Sequence, residues 1–253
     1  MRRFLGCLTA DLLKLRRTPV ALLLVVAPYV VILFFGLFAY FSGPRFLSSA
    51  QAWAWLGDSC FTFWSLIVLP MWTALVTAQL AAVEHRAEGF KHLFALAVPR
   101  RILYLSKQVL CWLLVAGAFL WLGLGILVGG WLLRWFRPGL GFEAAAPVER
   151  LLSFAAGAFL ASLFLVAIQT WLALARRDLV TPIAAGFLAT VSALALGGFD
   201  ASLVAYHPWA YPSELVGALV AGEPASAWVL AGVVGGGLFT VVAGWSFVRR
   251  DVL

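Results

Sequence analysis

Between Val20 and Phe41 the chain carries no acidic or basic residue. A run of that length is what a helix needs to cross a bilayer, about 20 residues for a hydrocarbon core of roughly 30 Å. Five more apolar runs follow, at about 61–83, 109–135, 151–175, 179–196 and 225–248. In lipid each backbone amide must bond within its own segment, so the pattern specifies an all-α integral membrane protein with six transmembrane helices. A water-soluble fold fails on composition. Hydrophobic residues make up 64% of the chain and charged residues 11%, against about 25% charged in soluble domains. That is more apolar surface than a chain of this size can hide.

The runs carry local signals. Thr18 can cap the first and Pro19 suits its first helical position, while Pro28 predicts a kink. Pro70 lies inside the second run, and Thr181-Pro182 opens the short fifth. Glycines at 117, 123, 125, 129 and 130 in the third run, and Gly232 and Gly236 in the sixth, allow close helix approach. Trp53, Trp55, Trp135, Trp209, Trp228 and Trp245 read as an interfacial belt, and Trp121 as a packing residue.

The net charge is +7. The basic residues cluster at run ends, which reads as topology and not as nucleic-acid binding. Arg2, Arg3, Lys14, Arg16, Arg17, Arg86, Lys91, Arg100, Arg101, Lys107, Arg176, Arg177, Arg249 and Arg250 share one side. Only Arg45, Arg134, Arg137 and Arg150 lie on the other. Both termini are therefore expected in the cytoplasm. Cys7, Cys60 and Cys111 have no metal-spaced neighbours and read as small apolar residues. The polar start and the lack of a small-residue cleavage site argue against a signal peptide. No Gly-rich phosphate loop is present, so the chain is expected to hold no ATP site of its own.

Three segments are not spans. Residues 1–17 form an amphipathic helix, with Met1, Phe4, Leu5, Leu8, Leu12 and Leu15 on one arc and Arg2, Arg3, Lys14, Arg16 and Arg17 outside it. It is expected to lie in the cytoplasmic interface on membrane lipids. Residues 84–107 hold a short helix with Phe90, Leu93, Phe94 and Ala97 on one face, ended by Pro99, and then a second stretch leading into the third run. Such a helix suits a groove on another protein. Residues 197–224 hold Asp200, Glu214 and Glu223 and two short apolar pieces around His207 to Pro212. They read as re-entrant helices in the outer leaflet.

Intramembrane catalysis is disfavoured, since no His falls in a run and no His-Glu-x-x-His is present. An ion-coupled carrier would place ionisable groups inside the bilayer. Here Gln79 and Gln169 are the main polar groups within runs, able to line a path or to bond between helices.

The chain resembles ABC-2-type transporter permeases, in particular the lantibiotic-immunity and antibiotic-resistance exporter subgroup. The resemblance rests on Lys14-Leu15-Arg16-Arg17-Thr18-Pro19 before the first run, and on Glu84, Gly89-Phe90-Lys91, Leu96-Ala97-Val98-Pro99-Arg100-Arg101, Tyr104 and Lys107. It also rests on the ending Phe247-Val248-Arg249-Arg250-Asp251-Val252. The resemblance implies a single permease domain over 1–253, of the type V exporter kind, paired with a second identical or related permease. Two separate ABC ATP-binding subunits would hold ATP and Mg, and the location would be a bacterial cytoplasmic membrane. Glu84, Glu88, Gly89, Phe90, Lys91, Phe94, Pro99, Arg100 and Arg101 would couple to the ATPase. Gln79, Gln169, Asp200 and Glu214 are the candidate substrate path.

Overall fold

The computed structural model describes residues 2–15, 18–42, 49–86, 99–176, 178–199 and 201–249, and among these it holds helices and no strand. Among the described residues six helices are long and apolar enough to cross a membrane. In chain order the elements are α1 (Arg2–Leu15), α2 (Val20–Ser42), α3 (Ser49–Phe63), a π-helical turn (Trp64–Val68), α4 (Leu69–Arg86), α5 (Arg100–Phe136), α6 (Val148–Ala175), α7 (Val180–Phe199), α8 (Ala201–Val204), α9 (Tyr211–Ala221) and α10 (Ser226–Arg249).

Two spans begin earlier than their hydropathy predicts. The second starts at Ser49 and runs without a break through α3, the π turn and α4. Its first part escapes notice because Asp58 lowers the hydropathy there. Arg150 at the start of α6 offsets that charge, donating from one nitrogen to both Asp58 oxygens at 2.9 Å. The π turn lies just before Pro70, which has no N–H for the Leu66 carbonyl. The Leu69 N–H instead bonds back to Trp64 O, widening the helix by one residue where the proline would break the ladder. The third span is one 37-residue helix from Arg100 to Phe136. The second helical stretch and the third run are therefore a single rod of about 55 Å.

The core lies between α6 and the helices around it. Gly232 and Gly236 of α10 let the two backbones touch: a Cβ at Gly232 would come within 2.5 Å of the Ala161 Cα, and one at Gly236 within 2.8 Å of the Leu163 carbonyl carbon. This is the close approach the glycine spacing predicts. Among the tryptophans, Trp135 and Trp245 are exposed near helix ends, the latter with the Arg249 guanidinium 3.5 Å over its ring. Trp53 departs from the belt reading. It is buried edge-on to Phe142, and its Nε1 donates to the Ala144 carbonyl at 3.2 Å. Trp209 is likewise buried. Both sit in the longer helix or hairpin that hydropathy did not delimit; the Trp53 indole N–H finds a protein carbonyl instead of headgroups, while the buried Trp209 Nε1 has no partner among the described residues.

The segment 197–224 forms two short helices, α8 and α9, as expected, though placed a few residues off. Leu215 and Val216 of α9 are fully buried, with Leu215 against Gly157 of α6 and Tyr211 against Phe164 and Trp228. Gly222 closes α9 at φ +75, a left-handed position where its N–H reaches Ala218 and Leu219 carbonyls.

Candidate functional site

The most densely connected polar site is the first two turns of α5. Pro99 holds an extended backbone at the N-cap, so the helix can start only at Arg100. From there four side chains reach other elements. Arg100 donates to the Val248 carbonyl at 3.2 Å, capping the last turn of α10 with a cation where its dipole is negative. Tyr104 is fully buried against Phe247 of α10, 5.7 Å between ring centroids. Lys107 is ion-paired with Asp11 of α1, and Ser106 Oγ donates to the other Asp11 oxygen at 3.2 Å. The Lys107 and Asp11 side chains are 8% and 7% exposed. The gap beside them, lined also by Lys14, Thr18, Leu80 and Val83, measures about 10 Å³, room for a single water at most.

This arrangement changes the reading of α1. Its apolar arc splits in two. Phe4, Leu8, Asp11 and Leu15 share the face toward α5, and Leu5 and Leu12, about 80° round the helix, stay exposed. A helix lying only on lipid would keep Asp11 in water. Here the carboxylate turns inward because Lys107 waits there. Lys107 in turn lies in the span helix and not in a loop, since α5 has already begun seven residues earlier. Burial, and then the Asp11 carboxylate, push the Cys7 thiol on α1 above its usual range, so it is a neutral side chain at physiological pH.

The remaining candidates fall in different places. Arg101 and Arg3 are exposed, and Lys14 lies 4.0 Å from Asp11. Pro99 is exposed at the start of α5. The side chains of Arg2 and Glu84 lie outside the described residues, as do Arg16, Arg17, Glu88, Gly89, Phe90, Lys91, Phe94 and Asp200. Gln79 is half-buried on α4. Gln169 is buried, and its Nε2 donates to the Pro182 carbonyl of α7 at 2.6 Å. Its Oε1 has no partner among the described residues. Gln79, Gln169 and Glu214 sit on α4, α6 and α9, and no described contact joins them into one path.

At the opposite end, Glu214 is half-buried in the first turn of α9, and burial pushes its carboxyl up. His207 stands 3.0 Å from Ser192 of α7, and burial holds its imidazole below the usual range. The sign follows from proton counting. As pH falls through about 6.5 the unfolded chain takes a proton that the folded segment refuses, so the α7–α9 hairpin loses stability on acidification. Glu214 acts in the reverse sense, contributing stability that is lost as pH rises above the ordinary carboxyl range. Hydrogen-exchange protection factors over 201–221 are expected to fall as pH drops below about 6.5, and His207→Gln is expected to flatten that fall.

A family model described as ABC-2 family transporter protein matches residues 7–193. The chain belongs to that family. The matched stretch takes in α1 from Cys7 on, Asp11, Lys107, four whole spans and most of the fifth, and stops before the α8–α9 hairpin. No curated protein and no solved structure matches the chain. As an ABC-2 protein it is a multi-pass membrane permease component of an ABC transporter, and membership implies partnership with ABC ATP-binding subunits.

Sequence reasoning missed the Asp11–Lys107 and Asp58–Arg150 ion pairs of this ABC-2 protein. The available signal for the first was a lone acid, Asp11, at helical spacing within the apolar face of α1. The signal for the second was Asp58 three residues before an apolar run.

Proposed function

We propose that this ABC-2 protein is the permease half of an ATP-driven exporter for a hydrophobic or amphipathic substrate such as a peptide antibiotic, a drug or a lipid-like molecule. The observation that carries the reading is the double grip of α5: its first two turns hold α1 through Lys107 and α10 through Arg100 and Tyr104. A force applied to the chain just before Pro99 therefore reaches two other elements and one continuous 37-residue helix at once. Residues 84–98 would seat in a groove of the ATP-binding subunit, with Glu84, Glu88, Gly89, Phe90, Lys91 and Phe94 at the contact. ATP and Mg would bind on that subunit, and its closure would act by binding one permease conformation better than the other.

In this reading both termini face the cytoplasm of a bacterial cell, the permease pairs with an identical or related copy, and the α8–α9 hairpin dips into the outer leaflet to gate release. The Asp11–Lys107 and Asp58–Arg150 pairs sit near opposite ends of the bundle, and both tie helices together. That supports mechanical coupling over an ion-coupled carrier, whose charges belong on a path through the middle.

Affinity purification of the full-length permease from its native membrane is expected to bring down an ATPase carrying a phosphate-binding loop. Phe94→Asp is expected to reduce that recovery at least about tenfold, since a buried unpaired charge in such a contact costs several kcal/mol. A permease that transports with no ATPase attached would overturn the reading. Undiminished recovery with Phe94→Asp would remove residues 84–98 from the contact.

A further inference from the structure

A groove of about 570 Å³ runs between α2 and α5, lined by those two helices alone. Its floor is Ile32, set into the space that Gly125 and Gly129 leave open on α5. Its sides are Leu33, Leu37, Phe41, Leu132 and Phe136, all exposed. From Tyr29 to Phe41 it extends about 18 Å at 1.5 Å per residue, close to one leaflet of a roughly 30 Å hydrocarbon core. It lies in the half of the bundle away from the termini.

At its outer end stands a cation. The Arg137 guanidinium lies 5.6 Å over the ring of Tyr40, which lines the groove. This end of the molecule is poor in basic residues, and Arg150 is occupied by Asp58. Among the described residues no carboxylate pairs with Arg137. A stacked, weakly hydrated guanidinium with its fork unclaimed is built for a phosphate.

We propose that the α2–α5 groove binds one anionic phospholipid, with an acyl chain along Ile32 and the glycines and the phosphate on Arg137. Packing of this face against the same face of a second copy fits worse. Neither α2 nor α5 contains an acid, so the helix faces of a second copy would themselves bring Arg137 no counter-charge. The assignment of the groove to the outer leaflet rests on the sidedness proposed above; the lipid site itself does not.

The test uses the full-length protein in nanodiscs of phosphatidylcholine containing phosphatidylglycerol, with retained lipids counted by native mass spectrometry. Wild type is expected to retain one phosphatidylglycerol. Arg137→Gln is expected to lower that retention about tenfold, the scale set by removing one charge-assisted hydrogen bond. Gly36→Leu is expected to abolish retention of either lipid. Gly36 lines the groove and a Cβ there meets nothing within 4 Å, so the variant fills the site without a clash. Arg134→Gln and Gly123→Leu, at positions that do not line the groove, are expected to behave as wild type. Retention by Arg137→Gln or Gly36→Leu equal to wild type overturns the proposal. So does a Leu37→Cys variant that cross-links two copies in the disc, which would give the groove to a second chain. Neither result bears on recovery of an ATPase, so failure here is separable from failure of the exporter reading.

Discussion

Asp11→Ala is expected to destabilise the protein by about 3–5 kcal/mol, the cost of leaving one partner of a buried pair without the other. The Lys107 ammonium would stay at a site that is almost closed to water. Ser106 keeps a bond to the Leu103 carbonyl and offers Lys107 little in exchange. Thermal unfolding in detergent should drop by roughly 10 °C. The double variant Asp11→Leu with Lys107→Met removes both charges while keeping similar volume, and is expected to recover most of the loss or exceed wild type. The two variants separate stability from coupling. If α1 is driven through this pair, the double variant folds and binds its ATPase but exports poorly. Export at the wild-type rate from the double variant would reduce the pair to a structural tie.

The second large effect is expected at Gly232→Leu. Overpacking usually costs about 1–3 kcal/mol because side chains can shift. Here the atoms in the way are the Leu160 carbonyl and the Ala161 Cα of α6, which are backbone and cannot rotate aside. The α6 and α10 axes must move apart, and with them the Tyr104–Phe247 and Arg100–Val248 contacts at the end of α10. The cost is expected at the upper end of that range, about 3 kcal/mol. Gly237→Leu, on the same helix with open space around it, is expected to change stability by less than about 0.5 kcal/mol. A Gly232→Leu protein as stable as the Gly237→Leu control would mean that the two helices are not in backbone contact in the membrane.

Much of the architecture was legible before the structure. Runs of apolar residues long enough to span a bilayer leave the backbone one option, so the number of crossings follows from composition along the chain. The small-residue spacing of Gly232 and Gly236 marked a helix contact, because only hydrogen at that position lets two backbones meet. The amphipathicity of residues 1–17 and the two short helices of 197–224 were also visible. The helix starts were not. Hydropathy places a span where charge is absent, whereas the early parts of α3 and α5 carry charges, Asp58 and Lys107, that distant partners neutralise.

The sequence by itself thus determined six helices long and apolar enough to cross a membrane, an amphipathic first helix and a membrane-permease family, all consequences of local composition or short motifs. Which way α1 turns its apolar face was a tertiary decision. Asp11 and Lys107 are ninety-six positions apart, and neither charge can be buried alone. Only the packing of α1 against α5 brings them together, and that contact makes the first helix part of the bundle instead of a float on its surface.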